Sequence, residues 1–463
     1  MAAGFNSPYR APMATIHWFR RDLRLSDNPA LLAAIEEAAA SADPRVVPLF
    51  ILDPDQWQQL GPVRGAYLVS SLNELGKSLN RNLLIRHGKP TQVLPEVIAA
   101  ASATSVHISA DYVPEVLAAD LALEKQLTVP LIRTGSPYAV APGRVRKEDG
   151  TPYRVYTPYY KAWLAHGWRL PAVTPSFTNW WMPLECHGRP TEPDLGNLQL
   201  PAAGEAAALA QWEKFKDTTL IDYAEDRNRP DFINGTSRLS IPLRFGEIHP
   251  RTILQDLTDK DEVYRKEICW REFYADVLHH NPDTISENLN KQYDLMPWET
   301  GKAAEQNFEA WCHGKTGYPF VDAGMRQLLA EGWMHNRVRM VVASFLIKDL
   351  HIDWRRGADW FMQWLADGDI ASNQHGWQWT AGSGTDASPF YRVFNPITQG
   401  IKFDPNGDYV RKYVPELAHL PGETAHEPWK VADGYKFNYP KTIVDHSVER
   451  VRALADYEKI KKS

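Results

Sequence analysis

The sequence has few cysteines and no long apolar run. Its three cysteines, Cys186, Cys269 and Cys312, are far apart and form no CxxC pair, which excludes zinc ribbons, iron–sulfur clusters and a disulfide framework. No uncharged apolar stretch is long enough for a membrane span. Residues 1–13 carry one arginine and no apolar segment, so we expect a flexible leader rather than a secretion signal. These absences predict a cytoplasmic protein with no membrane partner. Separately, we expect a monomer.

Glycine is absent between Phe5 and Leu60. In the same region β-branched runs begin to alternate with segments of helical periodicity, which predicts a doubly wound parallel α/β domain at residues 14–135. The predicted strands are 15–19, 46–53, 82–88, 105–109 and 127–134. A GxGxxG turn after the first strand, which would hold a dinucleotide phosphate, is missing. Any cofactor of this domain must therefore be bound in another way.

Strand patterns nearly disappear after this domain. Residues 136–201 contain ten prolines and predict an interdomain linker with short helices at most. The remainder, 202–463, predicts an all-helical domain, because segments such as 336–350 place apolar residues at i, i+3, i+4, i+7 and i+8. The predicted fold class is thus α/β plus all-α.

Metal, nucleoside-triphosphate and bulk-charge functions lack support. The fifteen histidines form no recognised zinc spacing, and HGKTG at 313–317 lacks the leading glycine of a P-loop. A net charge of −6 gives no general attraction to polyanions, so a nucleic-acid contact would need a local patch. Seventeen tryptophans exceed what core packing requires, and they offer wide π faces and one-electron redox chemistry.

Two polar clusters in the helical region suggest ligand binding. GTSRLS at 235–240 combines backbone N–H groups, hydroxyls and a guanidinium, which suit a pyrophosphate, although a helix N-cap explains the same pattern. In EICWREFY, Glu267, Trp270 and Arg271 share one helical face. That face can hold a nucleobase, or it can belong to a helix with a core tryptophan and solvated charges.

Two further clusters suggest a buried ion pair. In GWMHNRVRM, Arg337 and Arg339 lie about 200° apart around a helix axis, so one of them can point inward, where it needs a charged partner. DGDIASNQHGWQW at 367–379 offers Asp367 as that partner. Asp369 and Asn373, at i and i+4, can face one planar heterocycle. An EF-hand is excluded because its spacing and terminal glutamate are missing.

These four clusters belong to a longer series of motifs. With HWFRRDLRLSDNPAL, KTGYPFVDAGMRQL, SFLIKDLHIDWRRG and FNPITQG, they run in order from about residue 15 to residue 417. The series resembles the photolyase and cryptochrome flavoprotein family, and is most similar to the bacterial class I DNA photolyases. The resemblance implies a lyase that repairs cyclobutane pyrimidine dimers in UV-damaged DNA, associates with the nucleoid when bound there, and carries FAD in the helical domain.

The resemblance also implies which residues hold the cofactor. Tyr264 stands where the family more often has tryptophan. Asn373 would contact the isoalloxazine without adding negative charge, beside the Arg339–Asp367 pair. The implied FAD-binding residues are Tyr223, Thr236, Ser237, Arg238, Leu239 and Ser240 at the phosphates and ribose, together with Tyr264, Arg339, Asp367, Asp369 and Asn373.

The implied reaction is electron transfer from excited reduced FAD to a dimer flipped out of the duplex. Glu267 would hydrogen-bond a thymine edge, and Trp377, Trp354 and Trp298 would form an electron-transfer chain, with Trp377 nearest the flavin. Glu267 and Asn373 act at the reaction site. The other implied substrate residues are Trp270, Trp379, Asn336, Met340 and Arg271 at the dimer and Arg227, Arg337, Arg392, Gln399 and Lys402 at the DNA backbone.

Alternatives remain at two points. A cryptochrome-type light sensor without repair activity is the rival function, although the repair-associated residues are present and only residues 418–463 follow VPEL. Repair of (6-4) photoproducts would require a histidine pair where only His335 occurs. The antenna is also open: methenyltetrahydrofolate, 8-hydroxydeazaflavin, flavin or none, because Arg20, Asp53, Arg64 and Asp111 in the predicted cleft match no single option.

Overall fold

The computed structural model describes residues 14–385 and 391–462, so the predicted leader at 1–13 lies outside the described residues. Five parallel strands form one sheet in the order β3-β2-β1-β4-β5. The strands are β1 Ala14–Phe19, β2 Arg45–Leu52, β3 Leu84–His87, β4 Ala103–Ile108 and β5 Leu131–Arg133. Since β1 pairs with both β2 and β4, the winding reverses there, and the predicted doubly wound fold is confirmed.

Five helices connect the strands. They are α1 Pro29–Ala38, α2 Pro54–Leu60, α3 Pro62–Ser78, α4 Pro90–Ala101 and α5 Pro114–Glu124. Each begins with proline, whose missing N–H is not needed in the first turn. Asn28 caps α1 by accepting a hydrogen bond from the Leu31 amide at 3.1 Å. A side-chain cap thus stands where a dinucleotide-binding fold has its glycine-rich turn.

The fifth strand is shorter than the sequence predicted. The apolar run spans 127–134, but β5 occupies only Leu131–Arg133. It pairs with β4 alone, and Pro130 directly before it has no N–H to donate. An edge strand bordered by proline forms a short ladder.

The connection between the sheet and the helical region contains one helix, α6 Tyr156–His166. The buried carboxylate of Glu272 fixes it, accepting hydrogen bonds from the Val140 amide at 3.0 Å and from Trp163 Nε1 at 2.7 Å. The prolines and the short helix agree with the linker pattern, while the domain limits remain a prediction.

No strand follows β5 within residues 134–385 and 391–462. The apolar stripe predicted within 336–350 is buried: each of its members is at most 1% exposed, namely Val338, Val341, Val342, Phe345 and Leu346. No helix in the described residues is long and apolar enough to cross a membrane. The remaining α-helices are α7 Glu205–Thr218, α8 Tyr223–Asp226, α9 Ser240–Phe245, α10 Pro250–Leu254, α11 Glu262–His280, α12 Lys302–Cys312, α13 Pro319–Glu331, α14 Asn336–Lys348, α15 Trp354–Trp364, α16 Ile370–Ala381, α17 Pro396–Phe403, α18 Asp408–Tyr413 and α19 His446–Lys462.

The loop after β1 lies directly against the end of α9. The Leu23 amide donates to Phe245 O at 3.2 Å, and Arg24 donates to Gly246 O at 2.8 Å. Gly246 has a φ of +70°, and a Cβ atom there would lie 1.9 Å from Arg21 O. Only glycine fits this approach, and the approach brings the first loop of the sheet domain to the helical region.

Candidate functional site

The GTSRLS segment leads into α9 without capping it. The N-cap of α9 is Leu239, which is buried, and no side chain caps the helix. The N-cap interpretation of this motif is therefore wrong. Thr236 and Ser237 are half-buried, and Ser240 is exposed in the first turn of α9. Their hydroxyls are thus not needed for the helix end.

Arg238 within this segment has a left-handed backbone conformation, with a φ of +52°. Such a conformation is uncommon for a residue other than glycine and is frequent at functional sites. The guanidinium lies 3.1 Å from Glu331 and 4.1 Å from the centroid of the Trp333 ring. Trp333 in turn donates to Ser240 Oγ at 3.3 Å. The turn therefore holds a partly exposed cation against an aromatic face.

Two buried tyrosines form the wall behind the segment. The Tyr264 hydroxyl donates to Ser237 Oγ at 2.7 Å, and the Tyr264 ring meets that of Tyr223 edge-on at 4.9 Å. Burial raises the pKa of the Tyr264 hydroxyl well above its usual value, so it remains a neutral donor. Tyr264 on α11 and the GTSRLS segment are thereby brought together.

The ion pair expected between α14 and the loop before α16 is present. Arg339 donates to Asp367 Oδ2 at 2.8 Å and to Met334 O at 2.8 Å. The Asp367 side chain is 3% exposed, whereas Arg339 is 25% exposed. Arg337, on the other side of the helix, donates instead to Asn228 Oδ1 at 2.7 Å. The two arginines therefore face different surroundings, as the helical spacing required.

Asp369 and Asn373 occupy the start of α16. The Asp369 carboxylate caps the helix through the Ser372 amide at 3.1 Å and pairs with Arg21 at 2.6 Å. Burial alone would raise the pKa of Asp369, but nearby arginines, including Arg21 and Arg244, hold it below its usual range. The Asn373 amide donates to Ala358 O at 3.1 Å and to Gln374 Oε1 at 2.8 Å, which fixes its orientation.

Four arginines surround His335 at the start of α14. Burial, together with Arg337, Arg339, Arg238 and Arg227, lowers the pKa of His335 to about 3, so the imidazole is neutral at physiological pH. Three carboxylates pair with members of this group: Glu267 with Arg227, Glu331 with Arg238, and Asp367 with Arg339. Arg337, the fourth arginine, donates to the neutral Asn228 and pairs with no carboxylate among the described residues, which favours an anionic ligand.

Several buried polar atoms in this region have no hydrogen-bond partner among the described residues. They are Nε of Arg238, Nε2 of His335, Oδ1 of Asp367 and Nε1 of Trp377. An unsatisfied buried polar atom costs about 1–3 kcal/mol, and these four leave three donors or ring nitrogens and one acceptor that a bound ligand can satisfy. Donors, an acceptor, aromatic walls and positive charge together fit FAD, with its pyrophosphate and its flat heterocycle.

A second group of side chains lies along α11 and α14. Glu267 pairs with Arg227 at 2.7 Å. Burial raises the pKa of Glu267, while the charges of Arg227 and Arg337 oppose that rise. Trp270 stacks on Tyr156 with ring centroids 3.6 Å apart and planes 7° apart. The stack fixes the plane of the indole.

Further members of the predicted substrate set flank this group. Arg337 lies 4.5 Å and Lys402 5.2 Å from the centroid of the Phe403 ring, so α14 and α17 bring two cations together. The Met340 sulfur accepts from Arg337 at 3.6 Å. Four other members of the set differ in exposure: Asn336 and Arg392 are exposed, whereas Trp379 and Gln399 are half-buried.

Arg271 contacts the interdomain connection. It donates to Pro137 O at 2.8 Å and to Leu243 O at 3.2 Å, and it lies 4.6 Å from the centroid of Tyr138. The guanidinium of Arg271 is thus bound to groups of the protein itself. Its assignment to the substrate stays a prediction, and these contacts do not favour it.

The three relay tryptophans differ in burial. Trp377 on α16 is 3% exposed and Trp354 at the start of α15 is fully buried, whereas Trp298 is half-buried. A Cβ atom at Gly357 would lie 2.2 Å from the Trp377 ring, so that ring packs against α15 one turn beyond Trp354. Only Trp298 is open to solvent in part, so it is the member of the set that could exchange electrons with the solution.

The antenna candidates are bonded within the protein. Arg20 pairs with Asp120 at 2.8 Å, and Asp53 caps α2 and lies 3.1 Å from Lys89. Asp111 accepts from its own turn, at the Val113 amide. Arg64 points into the helical region and donates to Leu365 O at 3.2 Å. The identity of an antenna stays open.

Sequence reasoning missed several residues of the site, among them Arg21, Asn228, Glu331, Trp333 and Arg244. Arg21 and Trp333 stand inside motifs that drew attention for other residues. Glu331 and Asn228 were not distinguished from ordinary surface residues. Their roles as partners of Arg238 and Arg337 depend on contacts between distant segments, which leave no local pattern.

Comparison with known proteins agrees with this architecture. Family models described as DNA photolyase and as the FAD binding domain of DNA photolyase match residues 15–176 and 264–459. A deoxyribodipyrimidine photo-lyase of Agrobacterium fabrum is 40% identical, over 97% of this chain and 98% of that protein.

Two solved structures are also similar. A bacterial class III photolyase from Agrobacterium tumefaciens superposes with a TM-score of 0.90 at 38% identity, over 100% of both chains. A cryptochrome from Synechocystis sp. PCC6803 gives a TM-score of 0.87 at 30% identity, over 97% of this chain and 99% of the other.

Proposed function

This chain belongs to the DNA photolyase family, and from that premise we propose that it repairs cyclobutane pyrimidine dimers in UV-damaged DNA by a light-driven lyase reaction. The observation that carries the proposal is the set of unsatisfied buried polar atoms beside a positively charged, aromatic site that fits FAD. The proposal includes action as a cytoplasmic monomer that associates with the nucleoid on damaged DNA. The predicted class I assignment stays a prediction, because one structural relative is described as class III.

Two groups of residues would hold the cofactor, one in the GTSRLS segment and one around the Arg339–Asp367 pair. Arg238 and the hydroxyls of Thr236 and Ser237 suit the phosphates. Arg339, Asp367 and Asn373 suit the heterocycle, with Tyr223 and Tyr264 as the wall behind. When bound, reduced FAD supplies on excitation the electron that opens the cyclobutane ring. The protein contributes orientation and a fixed electrostatic field rather than a nucleophile.

The substrate would enter beside Glu267. Extrusion of the damaged pair from the duplex exposes base edges and faces. Trp270 and Trp379 offer aromatic faces for stacking, and the Glu267 carboxyl, which pairs with Arg227, can accept a hydrogen bond from a thymine N–H. Asn336 and Met340 would line the pocket. Arg337 and Lys402, gathered around Phe403, would contact the phosphate backbone, as would Arg392 and Gln399.

A separate route would keep the cofactor reduced. Trp298 is half-buried and open in part to solvent, whereas Trp354 and Trp377 are both buried. An oxidised indole near the surface can be re-reduced from solution, and a buried one cannot. One partly exposed indole and two buried ones support a relay that begins at Trp298 and ends on α16.

The direct test uses the purified, FAD-loaded and chemically reduced protein. Incubated with an oligonucleotide that contains one cyclobutane thymine dimer, it should restore the two thymines under blue light and leave them dimerised in the dark. The product is measured by chromatography of the digested oligonucleotide. A protein that binds FAD and responds to light but leaves the dimer intact would support the cryptochrome alternative.

Replacing Glu267 with alanine should weaken binding of the lesion without releasing FAD. Loss of a charge-assisted hydrogen bond costs about 1.5–3 kcal/mol, or roughly ten- to a hundredfold in the dissociation constant for dimer-containing DNA. Fluorescence anisotropy with damaged and undamaged oligonucleotides measures the effect, and absorbance measures retained FAD. Release of FAD from the variant would contradict this role and would show that Glu267 belongs to the cofactor site instead.

A further inference from the structure

The loop between α15 and α16 is held by arginines from outside the two helices. Arg21, which follows β1, pairs with Asp369 at 2.6 Å. Arg64 on α3 donates to the carbonyl oxygens of Met362 and Leu365. Arg244 donates to Gly368 O at 2.8 Å. Two of these three arginines belong to the sheet domain.

The contacts are buried and closely fitted. Arg64 is 3% exposed, and the side chains of Arg21 and Asp369 are 13% and 9% exposed. A Cβ atom at Gly368 would lie 2.7 Å from Arg64 Nη1 and 3.2 Å from Leu365 O, so the guanidinium lies directly against the loop backbone. The pairs are therefore part of a packed interface, where removing one partner leaves a buried charge uncompensated.

The same loop controls the position of the proposed cofactor residues. Asp367, in the middle of the loop, pairs with Arg339, and Asp369, at its end, caps α16. Four residues further along α16 is Asn373, and one more turn along is Trp377. A shift or rotation of the start of α16 would therefore move the Asn373 amide and the Trp377 ring together.

We propose that Arg21, supported by Arg64, is a positioning residue for the flavin site: the α/β domain fixes the start of α16 from behind and so sets the place of Asn373 and Trp377. This inference deepens the proposed function and rests on it for the ligand, FAD. It gives the sheet domain a role in catalysis that is independent of any antenna pigment.

The test measures FAD binding by the full-length chain. In the Arg21→Gln variant the dissociation constant for FAD should rise by about tenfold, within the range of coupling between linked sites. The absorption bands of bound oxidised FAD should also lose fine structure, because the heterocycle is held less firmly. Arg21→Lys, which keeps the charge, should recover most of the affinity and the fine structure.

The matched control is Arg86→Gln. Arg86 is also a buried arginine of the sheet domain, but it pairs with Glu96 at 2.7 Å and donates to Glu185 O at 3.0 Å, away from α15 and α16. Its loss should lower the melting temperature without changing FAD affinity. If Arg21→Gln and Arg86→Gln affect melting and FAD binding alike, Arg21 is only structural and the proposal fails.

A double variant separates a direct effect on Asp369 from a general one. If Arg21 acts through Asp369, Arg21→Gln combined with Asp369→Asn should bind FAD no more weakly than Asp369→Asn alone. Additive losses would overturn the proposal. Wild-type protein that binds FAD with this dependence but repairs no dimer would overturn the proposed function alone.

Discussion

Replacing Trp377 with phenylalanine should slow the light-driven reduction of bound oxidised FAD by at least about a hundredfold, equivalent to about 3 kcal/mol of barrier. Phenylalanine fits the space against Gly357 and α15 but is much harder to oxidise than an indole. The Trp377 Nε1 atom has no hydrogen-bond partner among the described residues, so the substitution breaks no bond of the fold. The rate is followed by absorbance under illumination with an external electron donor.

Repair by chemically reduced enzyme should stay nearly unchanged in the same variant, because the relay is needed only to reduce the cofactor. Trp429→Phe is the control: Trp429 is half-buried, 6.2 Å from Tyr318 between ring centroids, and has no place in the proposed relay. Equal losses of photoreduction and repair in Trp377→Phe would contradict the relay role. Slow photoreduction in the Trp429→Phe control would contradict it too.

Changing Asp367 to asparagine should lower the stability of the protein and weaken FAD binding together. The substitution removes the charge that compensates Arg339, and breaking a well-buried pair from one side costs about 3–5 kcal/mol. Arg339 is 25% exposed, so water screens part of its charge and we expect about 2 kcal/mol. FAD binding should also weaken by about tenfold, because Asp367 Oδ1 is an acceptor that the protein leaves for the cofactor and the substitution removes it.

Denaturant unfolding of the apoprotein measures the first effect, and titration with FAD measures the second. Glu305→Gln provides the comparison, because it removes the exposed ion pair with Arg356, for which no measurable change is expected. An Asp367→Asn apoprotein as stable as the wild type, with unaltered FAD affinity, would show that the Arg339 pair neither supports the fold nor faces the cofactor.

Much of the fold could be predicted from local sequence. The alternation of apolar runs predicted five parallel strands, and the stripe on α14 predicted a buried helix, because both depend on the repeat of side-chain direction along a single element. The length of β5 could not be predicted, because its edge position beside Pro130 limits the number of residues that pair with β4. The α2 helix, Pro54–Leu60, was also missed, as it is too short for its periodicity to be recognised.

The site divides in the same way. The Arg339–Asp367 pair was predictable because an inward cation requires a carboxylate, and a nearby motif offered one. The N-cap interpretation of GTSRLS failed because capping depends on which residue adopts the cap geometry, and here it is Leu239. The partners of Arg238 and Arg337 were not predictable, because Glu331 and Asn228 lie on other segments and carry no distinctive spacing.

The order of the elements, the buried stripes, the resemblance to a family and the chemical types of the site residues all follow from local sequence, since each depends on neighbouring positions. Which charges meet depends instead on how the elements pack in three dimensions. Arg21 and Asp369 are 348 positions apart, and nothing along the chain links them until Gly246 lets the first loop of the sheet pack against α9. The energy of such a pair depends on distance and burial in space, and these are fixed by packing rather than by sequence separation.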